Sequence, residues 1–167
     1  MRVYVIRHAA AAQRGAYAND NDRPLTGDGI ARMKRVAKGL AALGIKPEPI
    51  YTSPLVRAKD TAQIVAKALG GGAALEEADV LRPGVGASEV VTFLAKAKGD
   101  EAAIVGHEPQ LGEVVALMVT GKTAPIVDMK KAAACAVDFE GAPAAGKGVI
   151  AWHAVPAVFE GLLGKKS

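Results

Sequence analysis

Strand-length apolar runs alternate with longer stretches of helical periodicity along this chain, and that alternation narrows its fold more than any other feature. Val3-Tyr4-Val5-Ile6, β-branched or aromatic throughout, predicts a buried strand that starts almost at the first residue. A helix follows Pro24-Leu25-Thr26, with Thr26 as N-cap and Asp28 in the first turn. Ile30, Met33, Ala37, Leu40 and Leu43 form its stripe, and Gly44 stops it. Pro49 to Thr52 reads as a second strand, and Ser53-Pro54 as the cap of a helix whose Leu55, Ala58, Ala62, Val65 and Leu69 share a face. A short strand near 75–80, a helix opened by Ser88, a strand over 102–106 and a helix over 109–119 come next. Residues 133–139 and 148–155, split by a Gly/Pro/Ala-rich stretch, read as a closing hairpin, while 122–132 receives no element. The pattern predicts an α/β fold: one domain over 1–167 with a mostly parallel central sheet, helices on both faces and a C-terminal β-hairpin.

A chain of 167 residues buries about 68–70% of its unfolded surface, enough for a core without staples. Its one cysteine, Cys135, excludes an internal disulfide, fits a reducing compartment and sits among apolar neighbours as a core strand residue. No apolar run approaches the length of a membrane span, and Arg2 is followed by only four apolar residues before Arg7, unlike a signal peptide. The expectation is a cytoplasmic protein with no membrane association. Net charge is +4, but the lysines are dispersed and lack interleaved aromatics, which argues against a nucleic-acid partner.

Three junctions share one design, in which a strand ends and a cation or histidine stands just beyond it. They are Arg7-His8, Ser53-Pro54-Leu55-Val56-Arg57 and Gly106-His107-Glu108-Pro109. Parallel strands bring their carboxyl ends to one edge, where α/β sheets place ligands. Converged there, two arginines, two histidines and helix N-termini make an oxyanion pocket.

Other signals are weaker. Thr120-Gly121-Lys122-Thr123 lacks the earlier glycine of a P-loop, since that position is Ala116, and reads as a helix stop. Gly70-Gly71-Gly72 is a turn, and His153 beside Trp152 reads as a hydrogen-bonded structural histidine. No metal-ligand spacing and no Gly-x-Ser-x-Gly elbow is present.

The chain resembles the histidine phosphatase (phosphoglycerate-mutase-like) superfamily, in its small SixA-type phosphohistidine phosphatase branch. The stretches that carry the resemblance are Arg7-His8-Ala9, Arg23-Pro24-Leu25-Thr26-Gly27-Asp28-Gly29, Ser53 through Ala62, and Val105-Gly106-His107-Glu108-Pro109. They stand in the family's order over roughly residues 1–120. The resemblance implies that His8 is a nucleophile phosphorylated on a ring nitrogen, that Arg7, Arg57 and His107 clamp the phosphoryl oxygens, and that no metal or cofactor is used. It places Arg23 near the pocket mouth as a substrate contact. Ser53 is a further pocket candidate, as is Thr61, with capping and packing as alternative explanations for both.

Two departures stand out. Ala9 replaces the commoner glycine, at small cost if its φ is negative. Larger relatives use an inserted carboxylate as general acid, whereas Val80 to Gly86 holds none, leaving Glu77, Asp79, Glu89 and Glu108 as candidates. A general acid contributes about 10²–10⁴-fold where an alkoxide must leave, but an imidazole can leave already protonated. An acid-free, open site therefore favours phosphohistidine on a partner protein, such as a phosphotransfer domain or phosphocarrier. The alternatives are hydrolysis of small phosphate esters or nucleotides, and a non-catalytic phosphoprotein-binding module. The presence of both histidines argues against the last, because binding alone needs only the arginines.

Overall fold

The computed structural model describes residues 1–164; positions 165–167 of the expected domain lie outside the described residues. Six strands form one sheet: β1 (Arg2–Arg7), β2 (Ile50–Thr52), β3 (Leu75–Glu77), β4 (Glu101–Gly106), β5 (Ala134–Asp138) and β6 (Val149–Ala154). Their order is β3-β2-β4-β1-β5-β6. The first four are mutually parallel, whereas β5 runs antiparallel to both β1 and β6. The mostly parallel sheet and the closing hairpin thus take the expected form.

The helices are α1 (Gly27–Ala42), α2 (Val56–Ala68), α3 (Ala87–Leu94), α4 (Gln110–Thr120) and α5 (Pro156–Leu162). Alternation along β1 sorts them onto two faces. Tyr4 and Ile6 face a core made with Met33, Val36 and Leu40 of α1, Ala62 and Val65 of α2, and Phe159 of α5. Val3 and Val5 face the opposite core, with Val90 and Leu94 of α3 and Leu111, Val114 and Met118 of α4. Burial on both faces explains why β1 reads as an unbroken apolar run rather than an alternating one.

Local differences from the sequence reading have physical causes. Thr26 does cap α1, its Oγ1 accepting the Gly29 N–H at 3.0 Å, but Leu43 lies past the helix end and is exposed while Val36 completes the stripe. Helix α2 starts after Leu55, without a side-chain cap, and Ser53 is used elsewhere. Helix α5 is an addition: Pro156 presets its first turn, and its seven residues carry too little periodicity to register against the preceding strand. His153 pairs with Cys135 in the β5–β6 register, yet its buried Nε2 has no hydrogen-bond partner among the described residues, so it is not the hydrogen-bonded histidine expected. Cys135 is fully buried, and burial pushes its thiol up to about 12. Gly121 ends α4 in the left-handed conformation, as a helix stop. No helix among the described residues is long and apolar enough to cross a membrane.

Candidate active site

Register brings the three junctions together. Arg7 at the end of β1 lies opposite Gly106 at the end of β4, and Thr52 of β2 lies opposite Val105. The next residues, His8, His107 and Ser53, therefore leave one sheet edge side by side. The His8 and His107 rings stand with centroids 5.1 Å apart. Arg57, in the first turn of α2, is buried beside them. Arg7, His8, Arg57 and His107 line a pocket of about 400 Å³ with Arg14, Arg23, Pro83, Glu108 and Lys131. A larger hollow, about 680 Å³, lies around Met1, Arg2, Glu101 and Asp138 at the opposite edge, away from both histidines.

The backbone around His8 is tightly held. Its ring Nδ1 lies 2.7 Å from the Ala9 carbonyl oxygen, which can only accept, so Nδ1 carries the hydrogen and Nε2 keeps its lone pair. The Ala9 N–H donates to Thr61 Oγ1 at 3.2 Å, and that hydroxyl donates to the Arg57 carbonyl at 2.7 Å. Thr61 thus works behind the pocket, joining α2 to the loop that carries His8. Ala9 has no positive φ, so its Cβ costs nothing there. Gly29 is the position that must be small, because a Cβ would overlap the Ala10 carbonyl oxygen.

Burial, then Arg57, Arg7 and Lys131, hold the His8 imidazole down at about 4, and burial with His8 and the same arginines holds His107 at about 3. Both rings are neutral at physiological pH. The His107 Nε2 lies 2.9 Å from Ser53 Oγ. Ser53 is fully buried, so it supports His107 from behind, where the sequence had made it a pocket contact. Arg7 Nε, Arg57 Nε and His107 Nδ1 are buried and lack partners among the described residues. Buried donors left unpaired are rare and costly, and an anion in this pocket would satisfy them.

Asp20, Gln110 and the Met129 carbonyl gave no signal in the sequence, whereas the lysines of 122–132 read there as facing an acidic partner from a loop beside the pocket. The Met129 carbonyl accepts from Arg7 Nη1 at 2.8 Å, which places the unassigned 122–132 stretch against the pocket. Of its three lysines, Lys131 lines the pocket. Asp20, on a 3-10 turn, joins two arginines: Oδ1 accepts from Arg23 Nε at 2.7 Å, Oδ2 from Arg57 Nη2 at 3.2 Å, and its carbonyl from Arg57 Nη1 at 2.9 Å. The Arg23 bond holds the Asp20 carboxyl below its usual range, aided by Arg57. Gln110 Nε2 donates to the carbonyls of Val80, Arg82 and Val85, pinning the loop that brings Pro83 to the pocket.

The structure separates the four candidate carboxylates. Glu77 pairs with Lys59 and Asp79 with Arg82, and Glu89 is exposed, but Glu108 lines the pocket. Among the described residues, no group of three or more His, Cys, Asp or Glu side chains could hold a metal ion.

Residues 3–84 match the model of the histidine phosphatase superfamily, branch 1. An uncharacterised protein of Picosynechococcus sp. is 42% identical over 79% of this chain and 81% of its own length. The phosphohistidine phosphatase SixA of Escherichia coli is 27% identical over 93% of this chain and 94% of its own. A structure of the protein histidine phosphatase SixA complexed with tungstate superposes with a TM-score of 0.81 at 26% identity, covering 95% of this chain and 99% of that one. With its sheet, its paired strand-end histidines and these relatives in agreement, the chain belongs to the histidine phosphatase superfamily and is SixA-like.

Proposed function

We propose that this chain hydrolyses phosphoryl groups through a covalent phospho-His8 intermediate, with phosphohistidine on a partner protein as its substrate. The observation that carries the reading is the His8 ring itself. Its Nδ1 is tied to the Ala9 carbonyl and its burial keeps it neutral, so Nε2 is a free nucleophile beside two arginines. In the first step Nε2 attacks phosphorus and the bond to the leaving nitrogen breaks. In the second, water attacks the phospho-His8 phosphorus, the P–Nε2 bond breaks, and inorganic phosphate leaves.

Arg7, Arg57 and His107 stabilise the charge on the equatorial oxygens. Neutral His107 contributes as a hydrogen-bond donor. Ser53 Oγ accepts the Leu55 N–H at 3.4 Å, which leaves its own hydrogen for His107 Nε2 and puts the imidazole hydrogen on Nδ1. That is the His107 nitrogen without a protein partner. Arg23 is a rim contact whose guanidinium is oriented by Asp20 and by the Ala12 carbonyl.

The phosphohistidine assignment is supported by the similarity to SixA along nearly the whole chain. We assign the reaction to the cytoplasm, on the single buried cysteine. The test is phosphate release from a phosphohistidine-bearing phosphotransfer domain or phosphocarrier beside p-nitrophenyl phosphate, with wild type and His8→Ala. Release from the phosphoprotein, lost in the variant, is expected. Release that survives His8→Ala refutes the intermediate, and turnover of small esters alone refutes the substrate.

A further inference from the structure

Among the described residues that line the pocket, Glu108 is the one carboxylate, and it follows His107 directly. Its Oε1 accepts the Gly112 N–H at 2.9 Å, in the first turn of α4, so the side chain is held in a defined place. Gly112 makes the room: a Cβ there would stand 3.0 Å from Glu108 Oε2 and also meet Pro125. With Oε1 engaged by an amide, Oε2 is the oxygen left to carry a proton.

We propose that Glu108 is the general acid and base of this site, and that it equips the enzyme to cleave phosphate esters with oxygen leaving groups as well as phosphohistidine. The proposal rests on the phospho-His8 reading above. In the first step His8 Nε2 forms a bond to phosphorus, the P–O bond of the ester breaks, and the departing oxygen takes the Glu108 proton. In the second, the Glu108 carboxylate takes a proton from water as its oxygen bonds to phosphorus and the P–Nε2 bond breaks. Phosphate leaves, His8 returns neutral with its hydrogen still on Nδ1, and Glu108 is again protonated.

The surroundings suit a proton carrier. Burial raises the Glu108 carboxyl, and the charges of Asp128 and Glu113 add to that, while the Gly112 amide and Arg7 oppose it. Asp20 is the other carboxylate near the pocket, but it is fixed between two arginines and stays ionised. A proton matters most for a basic leaving group, so the activity separates from a structural role by its dependence on that group.

The experiment compares kcat/KM over a series from p-nitrophenyl phosphate to simple alkyl phosphates, in wild type and Glu108→Gln, with trapping of phospho-His8 alongside. Glutamine keeps the acceptor for Gly112. The expected result is a loss of about 10²-fold or more on alkyl phosphates, with p-nitrophenyl phosphate and phosphohistidine changed far less. An equal loss on every substrate, or no loss on any, overturns the proposal. If the variant does not fold, wild type decides alone: a shallow dependence on leaving-group basicity supports Glu108, and a steep one overturns it. A wild type that forms phospho-His8 but shows the steep dependence fails the acid only, whereas one that never labels His8 fails both readings.

Discussion

The two rims of the pocket are built differently. One is made of strand ends and helix first turns, and its side chains are almost wholly buried: His8 is 7% exposed, Arg57 3% and His107 3%. The other is the loop of residues 10–23, whose 13–22 stretch is exposed and which reaches the pocket through Arg14 and Arg23, with Asp20 bonded to Arg57 behind them. The first rim is set by register and packing on both faces of the sheet, so its geometry can tolerate little change. The second is held by a few polar bonds to a carboxylate that is 48% exposed. On the function proposed above, the reacting groups stand on the buried rim and the substrate contacts on the other. Such a division lets contacts at the mouth vary without disturbing the chemistry.

Substitutions on the buried rim should break this contrast most severely. His8→Ala is expected to abolish phosphoenzyme formation outright, read by acid-labile phosphate on the trapped protein. Arg57→Ala removes donors to the developing charge, with a loss of about 10²–10³-fold in kcat and little change in substrate selectivity.

Ser53→Ala sharpens the comparison from behind. It leaves the buried His107 Nε2 unpartnered, which costs about 1–3 kcal/mol in stability, and it frees the tautomer. A fall in kcat larger than the rise in KM is expected, and Ser53→Thr, which retains the hydroxyl, should recover part of it. On the exposed rim, Asp20→Asn loosens Arg23 and Arg57 together. Its expected signature is a several-fold rise in KM, a small change in kcat and a lowered melting temperature, because the two arginines that lose their anionic partner are themselves buried.

The smallest expected effect is on stability against pH. Both histidines are held below their ordinary value of 6.5, at about 4 and about 3. The unfolded chain therefore binds protons first, and stability declines as pH falls from about 6.5 towards 4. Urea midpoints across that range should fall less steeply in the His8→Gln, His107→Gln double variant. An unchanged slope would mean that the histidines are not responsible.

Much of this architecture was legible locally. Residues 3–6, 50–52 and 102–106 are short apolar runs that cannot hide their hydrophobicity except as interior strands, and helical stripes separate them. Arg7, His8, Arg57 and His107 could be picked out because each stands at or just beyond a strand end, where parallel connection alone brings them to one edge. Helix α5 escaped notice because its seven residues carry too short a pattern.

By itself, then, the sequence determined the order of elements, the two-sided burial of the sheet and the residues delivered to its carboxyl edge, since all of these follow from periodicity within a few turns of chain. Only the tertiary structure decided what each polar group does there. Arg7 is held by the carbonyl of Met129, 122 residues away, Arg57 by Asp20, 37 away, and His107 by Ser53, 54 away. A hydrogen bond between distant segments leaves no period in the sequence: a buried serine that caps a helix and one that orients a histidine are the same letter until the chain has folded around them.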